Sequence, residues 1–408
     1  MTDFLRDPEL DRLIGELNSG RQDRPEAVPA APAAEAAEPR RLTQVDEDEP
    51  LARLLAEMAR KGASDLLLIP EIPPVLRLDG RLATTGHPPL SEEELRLMLA
   101  PYLGGRGRRQ LETDGSADFS LRLGGAAGGA GEAGGWRYRV NLHRQRGRLA
   151  AAVRALPREV PTLARLNLPK SFAKLVQPTR GLVLVCGPTG SGKSSTLAAL
   201  LGEINQSRAA HVITIEDPVE YEHQNGRSIV EQVEIGLDAP SFAAALRAAL
   251  RQDPDVILVG EMRDLETVAT ALTAAETGHL ILSTLHTSDV VQAVHRMVDV
   301  FPAGQQAQIR QQLALALHAL VFQQLLPRAD GNGRVPAVEL LLASYPVRHH
   351  IRNQGLQKLY NEITLGKSQG MISFEDSLAG LVRAGTVDVE EARMRSARPD
   401  ELESLLRS

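Results

Sequence analysis

The sequence predicts an α/β protein of two domains: an α+β first domain, then a domain built on a parallel sheet covered by helices. Three observations carry this. From about residue 171, strand patterns at 182–186, 211–216, 255–260 and 279–283 alternate with helical stretches. Between residues 50 and 155, strand and helix patterns follow one another without that alternation. Directly after the first strand of the second region lies Gly187-Pro188-Thr189-Gly190-Ser191-Gly192-Lys193-Ser194-Ser195, which fits G-x-x-x-x-G-K-[ST], the phosphate-binding loop of nucleotide hydrolases.

At 408 residues, two domains plus extensions is the natural expectation. Residues 3–18 place Leu10, Leu13, Ile14 and Leu17 on one face of a short amphipathic helix. Residues 20–49 are dominated by Ala, Pro, Glu and Arg, and read as a disordered tether. In the first domain, 50–155, Leu51 to Arg60 reads as a helix and Asp65–Ile69 and Val75–Leu78 as strands, the second followed by an Asp79-Gly80 turn signal. Ser91-Glu92-Glu93-Glu94 is a capping box that opens a second helix. Residues 116–123, 136–144 and 148–155 read as strands, with Gly124 to Gly135 a glycine-rich hairpin tip. Three prolines mark 156–170 as a connection, 171–385 forms the second domain, and 386–408 is a helical tail. Beyond residue 305 the pattern reads as mostly helical.

Composition narrows the function. A net charge of −6 and 3% aromatic residues argue against a nucleic-acid partner, which needs basic surface and stacking platforms. The single cysteine, Cys186, permits no internal disulfide and reads as a buried strand residue in a protein of the reducing cytoplasm. Neither a signal peptide nor a spanning segment is visible, so the sequence predicts no direct membrane insertion. The apolar stretch Leu313–Leu326 contains His318, Gln323 and Gln324 and reads as a core helix.

The phosphate loop sits between an apolar strand, Leu182–Val185, and a helix read over Ser194–Asn205. Glycines let backbone N–H groups close on phosphate oxygens, and the helix N-terminus adds partial positive charge. Lys193 is placed for the terminal phosphates of ATP, and the Ser194 hydroxyl for Mg²⁺. Asp255–Gly260 is an apolar strand that delivers Glu261 at its end, where such enzymes place the acid that orients Mg²⁺ or water. Ile213–Glu216 is a second strand, followed by Asp217-Pro218-Val219-Glu220. Glu220 and Glu261 are the candidate catalytic acids. His279 and His286 flank the strand between them; each either senses phosphate or packs structurally, and zinc is disfavoured because no Cys or acid stands at ligand spacing.

Segments 187–195, 213–220, 255–264 and 277–287, in this order, resemble the Walker A, Asp box, Walker B and His box of the secretion ATPases of type II and type IV pilus systems. The wording Gly260-Glu261-Met262-Arg263-Asp264 and Ala274-Ala275-Glu276-Thr277-Gly278-His279 is similar to the pilus retraction branch, and the resemblance spans roughly 51–385. It implies a PAS-like first domain and a RecA-like ATPase domain with a helical C-terminal part. It also implies a homohexamer that works in the cytoplasm beneath the inner-membrane platform protein of the pilus. Arg139 and Arg154 match positions that reach the phosphates when the domains close, as an arginine finger does. Three departures stand out: Leu67 replaces a usual His, Gln232-Val233-Glu234 replaces Gln-Arg-Glu, and Pro346–Arg352 alters a C-terminal helix motif of the family.

The function expected from all this is an ATP-hydrolysing motor for pilus retraction. The alternatives are an accessory retraction paralogue, an assembly or secretion ATPase, and a nucleotide-binding regulator with weakened hydrolysis. One cysteine cannot build the paired Cys-x-x-Cys zinc sites common in the assembly enzymes.

Overall fold

The computed structural model describes residues 43–45, 49–78, 80–123 and 135–407, all within one compact unit, Leu42–Ser408. The helix read at 3–18, most of the tether and nearly all of the hairpin tip lie outside the described residues.

The first sheet has seven strands: β1 (Thr43–Val45), β2 (Asp65–Leu68), β3 (Val75–Leu78), β4 (Arg81–Thr84), β5 (Ser116–Leu123), β6 (Trp136–Gln145) and β7 (Arg148–Ala155), in the order β1-β5-β6-β7-β2-β3-β4. All its pairings are antiparallel except β1 with β5. Strand β1 lies inside the segment read as a tether. Its Val45 is 1% exposed among the core side chains of this sheet, so part of the stretch read as a tether is built into the sheet. Helix α1 (Pro50–Arg60) closes one face through Leu51, Leu55 and Met58, and the Tyr138 hydroxyl donates to Leu55 O at 2.9 Å. Each such buried side chain contributes roughly 1.5–3 kcal/mol. Helix α2 (Glu92–Leu99) opens on the expected capping box: Ser91 Oγ accepts from Glu94 N–H, and Glu94 accepts from Ser91 N–H. Helix α3 (Gly105–Thr113) then leads into β5.

The second sheet also has seven strands: β8 (Gly181–Cys186), β9 (His211–Glu216), β10 (Ile229–Glu234), β11 (Val256–Val259), β12 (Leu280–Leu285), β13 (Leu317–Pro327) and β14 (Arg334–Leu342). Their order is β10-β9-β11-β12-β8-β13-β14, and all neighbours are parallel except the β13–β14 hairpin. Strand β8 shows why its sequence is apolar throughout. Leu182, Leu184 and Cys186 enter the core on one face, with α5 (Phe242–Ala249), α6 (Leu265–Thr277), α7 (Val290–Asp299) and α8 (Ala303–Ala316). Val183 and Val185 enter the other, with α4 (Lys193–Ser207). A parallel strand covered on both sides has no polar face.

Two expectations are corrected here. The stretch Leu313–Leu326 is not a core helix: α8 stops at Ala316 and β13 runs from Leu317 to Pro327. An apolar run buried on both faces has no period to separate strand from helix, and β13 completes the sheet beside β8. The region beyond 305 is therefore not mostly helical until after β14. Helices α9 (Tyr345–Arg352), α10 (Leu359–Leu365), α11 (Phe374–Arg383), α12 (Val389–Arg395) and α13 (Pro399–Arg407) follow. The altered motif still makes a helix, with Ser344 as N-cap and Pro346 in its first turn. The last two helices place Ala392 and Leu402 in the core on this side of the second sheet and pack on α11, so residues 386–407 belong to that sheet's helical layer. Strand β10 is an edge strand in a stretch where the alternating pattern predicts no strand.

Candidate active site

Parallel strands end on the same edge of a sheet, and this edge gathers the motifs. Strand β8 ends into the phosphate loop, β9 into Asp217–Glu220, β11 into Gly260-Glu261 and β12 into His286. The loop is shaped by glycines that admit no side chain. Gly187 has φ +148°, and a Cβ there would meet Gln323 O at 2.2 Å; Gly192 has φ +85° and is the N-cap of α4. Gln323, from β13, is 2% exposed and clamps the loop from beneath: its Nε2 donates to Ser191 O at 2.7 Å and its Oε1 accepts from Thr196 Oγ1 at 2.8 Å.

Lys193 is 7% exposed and donates to Gly187 O at 3.0 Å and Pro188 O at 2.9 Å. Burial lowers its pKa, opposed by Cys186, Glu220 and Glu261, so both candidate acids share the field of this ammonium. His286 Nδ1 lies 3.4 Å from Lys193 Nζ and 3.5 Å from Thr189 Oγ1. An ammonium only donates, so Nδ1 accepts and Nε2 carries the proton of the neutral ring. Burial, then Lys193 and Arg263, pushes the His286 pKa down and keeps the ring neutral. Glu261 Oε2 pairs with Arg263 at 2.7 Å. Glu261, Arg263, Thr284 and His286 line a cavity of 610 Å³. Ser194 is exposed at the start of α4, and the Ser195 hydroxyl is 2.7 Å from Tyr221 Oη.

The segment after β9 is held from two sides. Glu234 Oε2 accepts from Val219 N–H at 3.2 Å and Glu216 Oε2 from Glu220 N–H at 3.4 Å. Burial raises the pKa of both supporting carboxyls. From the first sheet, Arg137 donates to Val219 O at 2.6 Å and to Glu220 O at 3.4 Å.

The other candidates are placed differently. His279 precedes β12, at the sheet edge opposite the loop. Its backbone carbonyl accepts from Gly181 N–H and its ring Nδ1 lies 3.1 Å from Ala274 O, so within this chain it caps a helix end and is not brought to the loop. Arg139 and Arg154 are cross-strand partners on the first sheet. Arg139 pairs with Asp118 at 3.3 Å and Arg154 with Asp65 at 2.9 Å, their side chains 43% and 70% exposed.

The type II/IV secretion system protein family matches residues 162–393 of the chain. The type IV pilus retraction ATPase PilT of Pseudomonas aeruginosa is 40% identical over 86% of this chain and 99% of its own length. The type IV pilus ATPase PilU of the same organism is 37% identical over 88% of this chain and 91% of its own. A crystal structure of the pilus retraction motor PilT with bound ADP superposes with a TM-score of 0.77 at 43% identity, covering 86% of this chain and 98% of that one. The chain belongs to the type II/IV secretion system protein family and is a PilT-like ATPase.

In this PilT-like ATPase two of the departures lie within the sheets. Val233, on edge strand β10, packs its methyls against the core of the second sheet. Leu67 is half-buried on β2, opposite Val75 and Ala152. Two residues that hold the site's loops escaped the sequence reading. Gln323 had a signal, an amide inside an apolar run. Arg137 shares a strand face with Arg139, and what sets it apart is the loop that covers it, which no local pattern displays. Among the described residues no helix is long and apolar enough to cross a membrane.

Proposed function

We propose that this chain hydrolyses ATP as a homohexameric motor that drives pilus retraction, in the cytoplasm beneath an inner-membrane platform protein. The observation that supports this most is the meeting of Lys193, His286, Glu220 and Glu261 at one sheet edge, around a glycine-lined loop, in a chain similar to PilT along nearly its whole length.

The loop fits a polyphosphate. Positive-φ glycines leave room that a Cβ at Gly187 or Gly192 would fill, and the α4 N-terminus follows directly. Lys193 exchanges its two carbonyl partners for phosphate oxygens. His286, neutral, offers Nε2–H toward the terminal phosphate as a donor that adds no charge. Glu261, steadied through Oε2 by Arg263, keeps Oε1 to orient the attacking water. Glu220 adds a second carboxylate for water or cation. Ser194 and Glu261 would hold Mg²⁺, which neutralises developing phosphate charge when bound. Arg139 and Arg154 supply further charge when the first sheet closes on a nucleotide.

The cellular test is complementation. Expressed in cells that lack their own retraction motor, this chain restores twitching, and Glu261→Gln does not. Restoration only beside an intact partner motor would favour the accessory paralogue, and no effect in either setting would overturn the retraction reading.

A further inference from the structure

We propose that Arg137 is a positioning residue for hydrolysis, holding Glu220 in its working place from the first sheet. This rests on the role proposed for Glu220.

The geometry is specific. Arg137 lies on β6 of the first sheet, yet its hydrogen bonds run to the second. Its guanidinium takes the carbonyls of two consecutive residues, Val219 O at 2.6 Å and Glu220 O at 3.4 Å. Those same residues have their N–H groups held by Glu234 and Glu216 from the second sheet. The backbone that carries the acid is therefore gripped on its N–H side by one sheet and on its C=O side by the other. Arg137 is 4% exposed, and a buried cation needs a counter-charge. Glu222 supplies it at 3.3 Å from Nε, and Arg122, directly opposite Arg137 on β5, shares that carboxylate. Burial lowers the guanidinium pKa while Glu222, and more remotely Glu234 and Glu216, hold it up. A planar fork with several donors spans two carbonyls, and a lysine ammonium reaches such a pair poorly. Any shift of the first sheet against the second thus acts on the Glu220 backbone through Arg137, and on Glu222 beside it through both Arg122 and Arg137.

The test uses the full-length protein and a double-mutant cycle. Turnover, ATP KM and melting temperature are measured for wild type, Arg137→Ala, Arg137→Lys, Glu220→Gln and Arg137→Ala with Glu220→Gln. A misplaced catalytic group costs up to roughly 100-fold. We expect Arg137→Ala to lower kcat by roughly 10- to 100-fold with KM within about twofold, and Arg137→Lys to recover part of the loss. In the Glu220→Gln background, Arg137→Ala should change little, since its effect is already gone. Millimolar guanidinium should partly restore Arg137→Ala. If Arg137→Ala fails to assemble, Arg137→Lys carries the same cycle. Unchanged kcat, or a loss that multiplies fully with that of Glu220→Gln, overturns the positioning role while leaving the motor reading intact. No turnover in wild type overturns both.

Discussion

Arg137 and Arg139 stand two residues apart on one face of the same strand, and they have opposite surroundings. Arg137 is 4% exposed and bonded across to the second sheet. Arg139 has a side chain 43% exposed and is paired with Asp118 of its own sheet, as its cross-strand neighbour Arg154 is paired with Asp65. The same chemistry thus serves two purposes. One guanidinium already holds the segment after β9, while the other two remain at the surface, in exposed pairs worth at most about 1 kcal/mol each. The wall built by the second sheet is preformed; the wall offered by the first is half committed and half available.

Changes on the preformed wall should have the largest effects. Lys193→Ala removes the buried ammonium that faces phosphate, and turnover should fall roughly 100- to 1,000-fold, with ATP binding weakened in a nucleotide titration. Survival of both would sever the loop from the chemistry. On the available wall, Arg139→Ala and Arg154→Ala should leave the melting temperature unchanged, because their pairs are exposed. Turnover should nevertheless drop by roughly 10-fold or more if they reach phosphate on closure. A melting shift without a kinetic loss would assign them to sheet structure alone.

Gly187→Ala sharpens the contrast sterically. Its Cβ would lie 2.2 Å from Gln323 O at a φ of +148°, so strand β13 or the loop must move. Overpacking of this kind costs about 3 kcal/mol, readable as a lower denaturant midpoint and weaker nucleotide binding. Gly190→Ala has open space around its Cβ and should keep the loop's seat, at the smaller expense of its own positive φ.

These residues also show how far the sequence could be read. The four strand-end motifs were legible because parallel strands of continuous apolar residues announce themselves and the loop has a fixed spacing. Strand β13 was not, since a run buried on both faces reads equally as helix. His279 shares a motif with His286, yet strand polarity puts it at the far edge within this chain, where it caps α6. The place of Arg137 is not legible in the sequence, because alternation along β6 marks a face and says nothing of what covers it.

The smallest effect concerns pH. Glu339, 4% exposed on β14, has its pKa raised from 4.5 to about 7 by burial and by Glu375, while Val290 N–H, Arg398 and Asp289 complete its surroundings. Between those values the folded state keeps a proton that the unfolded chain has lost, so this group's contribution to stability falls as pH rises from 4.5 to about 7. Glu339→Gln should therefore match wild type near the bottom of that window and exceed it above the top by up to about 3 kcal/mol, seen in denaturant midpoints across the range. Parallel curves for the two proteins would show that the carboxyl ionises freely.

The most direct measurement is ATP turnover by the purified full-length protein, wild type against Glu261→Gln, with binding of a non-hydrolysable ATP analogue followed in parallel. The account predicts turnover in wild type that falls by roughly 100-fold or more in Glu261→Gln while analogue binding persists. Wild type that binds the analogue and releases no phosphate would contradict it, and would mark the chain as a nucleotide-dependent regulator.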